Sequence, residues 1–537
     1  MTSGQQADVR VAVVGSGLAG LATAYYLASA QLDKGKHVHV DLLERHEKLG
    51  MDAEGVSVER DNKPLRIDVP MRSFSEGMLP ANTGYYPELL ALYRSLDMKF
   101  RPSRFTFAFA TSPSQPELVR EHGPDPVFLY DGRQQNRKIT IYPKQTSMKS
   151  RVQTWIYVLE IAFSYVLLNL LAFYHSAMRH TSDPNHKISR QTISAWCEKS
   201  WISKKFTDDL LFPLFGSIMT TNLDSVRKLP ASELLEYVAR TFFNQHYTVD
   251  GGVQLVVQAL SKPLPIEHIL LGVTIVDLLP VEHTDRRQIL LRVQTSQGLD
   301  LELPAYDHLV FATQCTQTSR LIQMYERHLQ GKQDADIKRC QDLTQVLAKM
   351  RYEQSTVVCH TDTTIMPRDQ TLWRDLNLVR GEASEDANRF TMATHLIWRA
   401  KDNAQVVMQT TNPLSELYPD SKSWISRSTF ERFVLNITGR DARRALFQHA
   451  NEKKLSDPYA NSRKQLRLGP LQGRPPKQDD TDGSAQVQFP GIWLTGSWSF
   501  GVPLLEGMCV SHAGCVSSAR LVSTRLLESE GYSTAHI

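Results

Sequence analysis

Apolar and amphipathic runs alternate at the start of the chain in the order that a βαβ unit requires. Val11–Val14 is a short apolar run that predicts a buried strand, and Leu21–Ala30 carries apolar residues at helical spacing. After a glycine-containing turn, Val38–Leu43 predicts a second strand. We therefore expect these three elements to begin a domain built on a parallel sheet.

Three glycines between the first strand and the first helix have the spacing G-x-G-x-x-G. Gly15 permits a tight turn, Gly17 lets the backbone approach a pyrophosphate, and Gly20 lets the helix pack closely on the strand. The N–H groups of the helix N-terminus would face the phosphates. The candidate dinucleotide-binding residues are therefore Gly15, Ser16, Gly17, Leu18, Ala19 and Gly20.

An acidic residue ends the second predicted strand. Glu44 lies about two dozen residues after the last glycine, close to where the dinucleotide fold places an acid that accepts from both ribose hydroxyls. The alternative is an ordinary tight strand-to-helix turn followed by a surface glutamate, and the sequence leaves both open.

The two ends of the chain resemble the flavin-containing amine oxidoreductases, a family that includes amine oxidases, phytoene-type desaturases and carotenoid isomerases. The resemblance rests on the glycine loop, on the segment from Arg45 to Phe74, on Tyr306–Thr313 and on the closing stretch from Gly491 to Gly507. In that closing stretch a strand ends at a glycine and a final helix follows, here from Met508 to Leu527. Ser497 stands where the family usually has an acid.

This resemblance implies an α/β fold with a discontinuous Rossmann-like FAD-binding domain and a second, mixed-sheet and helical substrate domain. The FAD-binding domain would comprise residues 1–80, 245–325 and 486–537, and the substrate domain residues 81–244 and 326–485. Beyond the glycine loop and Glu44, FAD would be held by Arg45, Arg72, Val273, Gly496, Ser497, Leu504 and Leu505. For Arg72, a surface salt bridge is the alternative.

The sequence offers only weak candidates for catalysis. His360 and Asp362 lie two positions apart, on one face of a predicted strand, and could form a pair in which the carboxylate orients the imidazole. The alternative is a structural pair at a strand end, because the sequence shows no nucleophile or metal partner for them.

The most apolar stretch runs from Trp155 to Met178 and is long enough to cross a membrane. Glu160 and Asn169 interrupt it, and aromatic residues stand near its ends. A single crossing would separate two parts of one FAD-binding domain. We therefore favour a helix that dips into one leaflet or a buried helix that roofs an apolar substrate channel, and the sequence leaves these two open.

Composition excludes several other classes. The net charge of +4 does not indicate a nucleic-acid-binding protein. The six cysteines are scattered without metal-ligand spacing, so we expect no metal site, no disulfide framework and a reducing compartment. The polar N-terminus lacks the apolar core of a signal peptide, which favours the cytoplasmic side, with membrane association through residues 155–178.

Together these features predict an enzyme, an FAD-dependent oxidoreductase in which a hydrophobic organic substrate gives a hydride to flavin N5. With one G-x-G-x-x-G in the chain, we expect no second site for a nicotinamide cofactor. Two alternatives stay open: a flavin-dependent isomerase or desaturase acting on isoprenoids or lipids, and a non-catalytic nucleotide-binding protein at a membrane.

Overall fold

Five parallel strands form the sheet that carries the glycine loop. The computed structural model describes residues 9–30, 37–60, 63–77, 84–103, 105–112, 123–131, 138–141, 148–241, 244–282, 286–329, 334–381, 390–400, 405–449, 466–474, 490–499 and 512–534. In spatial order, the strands of this nucleotide sheet are Ile269–Leu270, Val38–Leu43, Val9–Val14, His308–Phe311 and Gly491–Leu494. All five fall within the ranges predicted for the FAD-binding domain.

Alternate residues of the first strand pack on opposite faces of the nucleotide sheet. Val11 and Val13 join the core that contains the helix Leu18–Ala28 and the final helix His512–Ser529. Ala12 and Val14 join a second core with the helices Cys315–Arg327 and Asp334–Leu347. Because both faces are covered, the strand is apolar along most of its length rather than alternating in polarity.

A larger, eight-stranded sheet dominates the rest of the molecule. Its spatial order is Trp424–Val434, Arg351–His360, Val406–Thr411, Thr391–Arg399, Leu376–Arg380, Phe107–Thr111, Asp125–Asp131 and Lys138–Ile141. Neighbouring strands are antiparallel except Leu376–Arg380 and Phe107–Thr111, which are parallel. These strands all fall within the ranges predicted for the substrate domain, although the full domain division stays a prediction.

Smaller sheets connect the two large ones. Phe74–Glu76, Gln245–Val249 and Phe100–Ser103 form one antiparallel sheet, and Val273–Glu282, Arg287–Thr295 and Asp300–Tyr306 form another. Two antiparallel two-stranded sheets are also present among the described residues, Val56–Arg60 with Lys63–Ile67 and Phe447–His449 with Leu466–Leu468. The mixed α/β architecture predicted from the sequence is therefore confirmed.

The remaining helices cluster mainly between residues 148 and 261. The longest is Met148–Ala177, which contains the apolar stretch and begins seven residues before Trp155. It includes Arg151–Ala177, which is long and apolar enough, by length and composition, to cross a membrane. The other α-helices in the described part of the chain are Pro87–Ser95, Ile193–Lys199, Lys204–Phe206, Phe212–Met219, Leu223–Arg227, Ala231–Thr241, Gln254–Ser261 and Ile437–Arg443, with a π-helical turn at Thr207–Leu211.

Candidate functional site

The glycine loop has the geometry that a bound pyrophosphate requires. Gly15 has φ +100°, a conformation that side chains disfavour, and its N–H donates to the Leu43 carbonyl at 2.8 Å. A Cβ on Gly20 would overlap the Gly15 carbonyl. By contrast, a Cβ on Gly17 would meet no atom within 4 Å, and the backbone there (φ −61°, ψ 175°) suits any residue. Gly20 therefore serves packing, whereas Gly17 leaves open space beside the helix N-terminus.

Glu44 is tied to the glycine loop by its own hydrogen bonds. Its Oε2 accepts from the Ser16 N–H at 2.9 Å and from the Ser16 hydroxyl at 2.6 Å, and its Oε1 accepts from the His46 N–H at 3.0 Å. The Gly50 N–H donates to the Ser16 hydroxyl at 2.7 Å. A carboxylate has about four acceptor positions, so roughly one is left for a ribose hydroxyl rather than two. Ribose binding by Glu44 stays a prediction, now limited to one hydroxyl rather than both.

Two further predicted cofactor residues lie beside Glu44. Val273 is buried, and its N–H donates to the Glu44 carbonyl at 3.0 Å, so this N–H is already used. Arg45 is exposed, and its Nε donates to His46 Nε2 at 3.3 Å. Both residues lie in the region where the resemblance places the adenosine. The Val273 N–H and the Arg45 Nε already make hydrogen bonds, so only the other groups of these residues are available to a ligand.

The closing stretch is held against the nucleotide sheet by buried hydrogen bonds. Gly496 has φ +140°, and its N–H donates to the Ser518 hydroxyl at 3.0 Å. The Trp498 indole N–H donates to the Thr313 carbonyl at 3.0 Å, and the half-buried Ser497 lies between these anchors. Leu504 and Leu505 lie outside the described residues, as does the predicted helix start at Met508; the described helix begins at His512.

Arg72 is not the surface salt bridge that the sequence left open. Its Nε and Nη1 are buried and have no hydrogen-bond partner within the described part of the chain. Burial lowers the pKa of its guanidinium, and the nearby Asp68 carboxylate opposes that shift. Because a buried donor without a partner is costly, this guanidinium fits a site for a carbonyl or phosphate oxygen from outside the chain.

The segment from Asp68 to Arg72 is fixed by residues far away in the sequence. The Met71 N–H donates to Gln409 Oε1 at 2.6 Å, and Gln409 Nε2 donates to the Asp68 carbonyl at 3.0 Å. The Asp68 carboxylate accepts from the Val253 N–H at 3.0 Å. Arg72 is thereby held between the large sheet and the turn before the helix Gln254–Ser261.

The register of the large sheet shows which side chains share a face with Gln409. Side chains of residues paired directly across neighbouring strands point to the same face of the sheet. The paired residues two positions further along the strands point to that face as well. We call this face the chamber wall; its two rows are Gln409, His395, Leu376, Phe107, Tyr130 and Thr411, Ala393, Leu378, Phe109, Phe128. Because Gln409 contacts the Asp68–Arg72 segment, the chamber wall is the face turned toward that segment.

The Phe105 ring lies close to two histidines, His395 of this wall and His246 of the strand Gln245–Val249. The Phe105 ring centroid is 6.5 Å from that of His395 and 5.8 Å from that of His246. Burial lowers the pKa of His395 to about 4 and also lowers that of His246, so both rings are neutral at pH 7. Both residues nevertheless keep partial solvent exposure.

The weak catalytic candidates from the sequence lie elsewhere. His360 pairs with Met408 and therefore lies on the opposite face of the large sheet from Gln409. Its Nε2 lies 2.8 Å from the Thr410 hydroxyl, and its Nδ1 accepts from the backbone N–H of Asp362. The Asp362 carboxylate accepts instead from Thr364 and from the Asp420 N–H. The structure therefore shows no hydrogen bond between the His360 imidazole and the Asp362 carboxylate, and a catalytic role for either residue stays a prediction.

Sequence reasoning missed Gln409 and His395. Gln409 is 338 residues from Met71 in the chain, and no local pattern marks either residue. Both faces of this sheet are apolar, since Met392 and Met408 pack on the side of His360 while Leu376 and Ala393 pack on the other. Only the pairing of the strands distinguishes the two faces.

Comparison with known proteins agrees with the geometry of the glycine loop. Residues 13–96 match the family model described as an NAD(P)-binding Rossmann-like domain. The chain contains a Rossmann-like dinucleotide-binding domain. This confirms the prediction made from the first strand, the glycine spacing and the helix that follows them.

Solved structures resemble the chain along its length. Cyclohexylamine oxidase from Brevibacterium oxydans IH-35A is 11% identical, with a TM-score of 0.49 over 98% of this chain and 100% of that one. An oxidoreductase from Methanosarcina mazei is also 11% identical, with a TM-score of 0.47 over 97% of this chain and 100% of that one. No curated protein sequence matches. Likenesses this distant do not indicate a substrate, which has to be argued from the site.

Replacing Arg72 separates a ligand-binding role from a structural one. In Arg72→Met the affinity for FAD should fall by about 1.5–3 kcal/mol, the range for hydrogen bonds to a charged group. The unliganded protein should be as stable as the parent or more so, because two buried nitrogens without a hydrogen-bond partner among the described residues have been removed. Isothermal titration with FAD and thermal denaturation of the apoprotein measure the two effects.

Arg66→Met is the matched control, because Arg66 already pairs with Asp52 at 2.6 Å. This change should lower apoprotein stability modestly and leave FAD affinity nearly unchanged. An Arg72→Met protein that loses stability but binds FAD normally would show that the guanidinium serves the fold alone.

The burial of His360 predicts a pH dependence of stability. Its pKa falls from the usual 6.5 to about 4 because desolvation disfavours the charged ring. As the pH falls, His360 becomes protonated in the unfolded chain before it does so in the folded protein. The contribution of the buried neutral ring to the free energy of unfolding is therefore complete above pH 6.5 and declines between pH 6.5 and 4. His360→Gln should reduce the slope of the free energy of unfolding against pH in that window. The reduction corresponds to at most one proton, or about 1.4 kcal/mol per pH unit. Urea denaturation across this pH range provides the measurement, and an unaltered slope would contradict the assignment.

Proposed function

We propose that this protein is an FAD-dependent oxidoreductase that oxidises an apolar organic substrate held between the chamber wall and the Asp68–Arg72 segment. FAD, when bound, supplies the acceptor for a hydride or its equivalent. The glycine loop would hold the pyrophosphate, Glu44 one ribose hydroxyl, and the Arg72 guanidinium an oxygen of the cofactor. The resemblance of both chain ends to flavin-containing amine oxidoreductases supports FAD rather than a nicotinamide cofactor.

The observation that carries the proposal is the presence of unsatisfied buried polar atoms beside an apolar wall. Besides the Arg72 nitrogens, His395 Nδ1 and the Thr248 hydroxyl are buried without a hydrogen-bond partner among the described residues. Thr248 lies two residues after His246 on the strand Gln245–Val249, so both point to the same side. Polar atoms left open in this way mark where a ligand would complete the hydrogen bonding.

The chemistry of the wall favours an uncharged, apolar substrate. Its side chains are aromatic, aliphatic, threonine and glutamine, with His395 as the only ring that can titrate near neutral pH. Because burial keeps His395 neutral, the wall presents no charge to a ligand. A cationic amine would lose its hydration against the wall, which itself offers no carboxylate partner, whereas a neutral apolar molecule would lose little. A neutral histidine can still donate or accept one hydrogen bond and so orient such a substrate.

Anaerobic mixing tests the reaction class. Protein loaded with FAD is mixed without oxygen with a panel of apolar amines, alcohols and isoprenoids, and the flavin absorbance is followed. Bleaching by at least one compound is the expected result. Conversion of a compound without net bleaching would favour the flavin-dependent isomerase, and bound FAD with neither change across the panel would favour the non-catalytic nucleotide-binding protein.

Two histidines on opposite faces of the large sheet provide a matched pair of variants. His395→Gln should change the substrate dissociation constant or the rate of flavin reduction, because His395 borders the proposed substrate space. His360→Gln alters the same residue type on the far face and should leave both quantities unchanged. Equal effects from the two variants would place the substrate outside this chamber.

A further inference from the structure

The helix Met148–Ala177 turns its most apolar side outward. Nine of its exposed large side chains recur at spacings of three and four residues, which places them on one side of the helix; Tyr165 is exposed on another side. We call this side the outward face; it consists of Val152, Trp155, Ile156, Leu159, Phe163, Val166, Leu170, Phe173 and Tyr174. At 1.5 Å per residue, the stripe is about 33 Å long. The expectation of a buried helix is therefore wrong for this side.

Several polar groups of the same helix contact the rest of the protein. Ser164 accepts a hydrogen bond from the Ser203 N–H at 3.1 Å, and the Tyr157 hydroxyl donates to Asp209 at 3.1 Å. Glu160 accepts from the Ser203 hydroxyl and pairs with Lys205 at 3.0 Å. A helix on the surface of a water-soluble protein has the reverse arrangement, with its polar side toward solvent.

Apolar contacts bind the inner side of the helix to the protein along its length. Ile161, Leu168 and Ala172 are buried in the main core together with Leu234 and Leu235 of the helix Ala231–Thr241. A crossing of the bilayer would strip these contacts and expose the polar groups of Glu160 and Ser164 to hydrocarbon. Only the outward face is therefore available to lipid.

We propose that the outward face docks the protein on one leaflet of a lipid bilayer, with the helix lying parallel to the membrane plane. A continuous apolar stripe of this length, with Trp155 near one end and Tyr174 near the other, is suited to the boundary between headgroups and acyl chains. The proposal rests on the exposure and polarity of the helix and does not depend on the proposed activity.

A tryptophan beside the helix extends the docking face. Trp201 is 83% exposed and lies two residues before Ser203, whose hydroxyl and N–H contact the helix. The exposed cations around it and along the helix margins are Arg151, Lys187, Lys199, Lys204 and Lys205, and the exposed or paired carboxylates are Glu160, Asp183 and Glu198. The excess of cations favours anionic headgroups at the rim of the apolar face.

A second copy of the chain fits this face less well than lipid does. A two-fold contact centred on it would bring Lys199, Lys204 and Lys205 of one copy toward the same residues of the other. Such a contact would also have to accommodate the exposed Trp201 ring. The facing surface of the second copy would be the same helix, which is convex and offers no recess for the ring. A leaflet adapts to both features, because headgroups neutralise the lysines and the interface accepts the indole.

The structure indicates which substitutions test the docking face without damaging the core. Leu168 is buried and Leu167 and Leu171 are half-buried, so serine at those positions would mainly unfold the protein. The test variant replaces Leu159, Phe163 and Leu170 by glutamine, all three of which are more than half exposed. The matched control replaces Ile266, Leu299 and Leu301, exposed apolar residues of the nucleotide-binding part, by glutamine.

Sedimentation with vesicles gives the decisive readout. The full-length protein is mixed with phosphatidylcholine vesicles and with vesicles that also contain phosphatidylserine. The parent and the control variant should pellet with both, more strongly with the anionic vesicles at low salt. The test variant should partition at least about tenfold less while keeping the parent's circular dichroism spectrum.

Quenching by brominated lipids locates the docked residues directly. Fluorescence of the parent should be quenched on binding, and Trp201→Phe should lose part of that quenching. Parent protein that stays in the supernatant with every vesicle would overturn the proposal, as would a test variant that binds like the parent. A lipid-free dimer that dissociates only in the test variant would assign the face to a second copy, and termini on opposite sides of sealed vesicles would establish a span; either result would overturn it.

Discussion

Replacing Gly17 by valine is expected to give a folded protein that does not retain FAD. A side chain at this position meets no protein atom within 4 Å, and the backbone conformation is one that valine adopts. The new methyl groups would instead occupy the space into which a pyrophosphate must come. We expect FAD affinity to fall at least about a hundredfold, or roughly 2.7 kcal/mol, with apoprotein stability within about 0.5 kcal/mol of the parent.

The measurement combines the flavin-to-protein ratio after purification with urea denaturation of the apoprotein. Gly17→Ala, with a smaller side chain in the same space, should show an intermediate loss of FAD. Stoichiometric FAD in the valine variant would refute the assignment of the pyrophosphate to this loop, and loss of folding would show that the open space belongs to the fold.

Replacing Gly20 by alanine is expected to destabilise the fold itself. Here the Cβ would overlap the carbonyl of Gly15, a backbone group held in place because the Gly15 N–H is bonded to Leu43. Overpacking of a core costs about 1–3 kcal/mol when side chains can shift, and a fixed backbone carbonyl leaves less room to relax. We therefore expect a loss of more than about 3 kcal/mol, a large part of the stability of a typical domain.

The two glycine variants form a matched contrast three residues apart. Gly20→Ala should lower the midpoint of urea denaturation in the apoprotein and reduce the soluble yield, whereas Gly17→Val should change neither. A Gly20→Ala protein as stable as the parent would mean that the helix does not approach the first strand as closely as the structure shows.

The nucleotide-binding part could be predicted from the sequence because its signals are local. The first strand, the glycine spacing and the second strand lie within the first 43 residues, and the structure has them in the predicted order. The first strand begins at Val9 rather than Val11, and the helix runs from Leu18 to Ala28 rather than from Leu21 to Ala30. The helix begins earlier because Leu18 and Ala19 are already buried in its first turn.

The chamber wall could not be predicted in the same way. Its strands come from distant parts of the chain, with Phe107–Thr111 paired to Leu376–Arg380, and its register decides which side chains face Arg72. One strand position separates Cys359, which shares the face of Gln409, from His360, which does not. A histidine followed by an acid therefore drew attention to the face of the sheet opposite Gln409.

The apolar helix could be predicted from the sequence only in part. Its length and hydrophobicity were visible in the sequence, but these features do not distinguish a span, a core helix and an interfacial helix. Ser164 and His175 lie three turns apart on one side, and this periodicity of polar residues was an available signal for the inner face. The structure adds that this side contacts the protein, while the apolar side is exposed.

The absorption spectrum of the purified protein tests the central claim most directly, that the glycine loop and Arg72 hold FAD. We predict a yellow protein with the visible bands of oxidised flavin, from which denaturation releases FAD in about a one-to-one ratio. A colourless protein that takes up no FAD on addition but binds a nicotinamide dinucleotide would contradict this account.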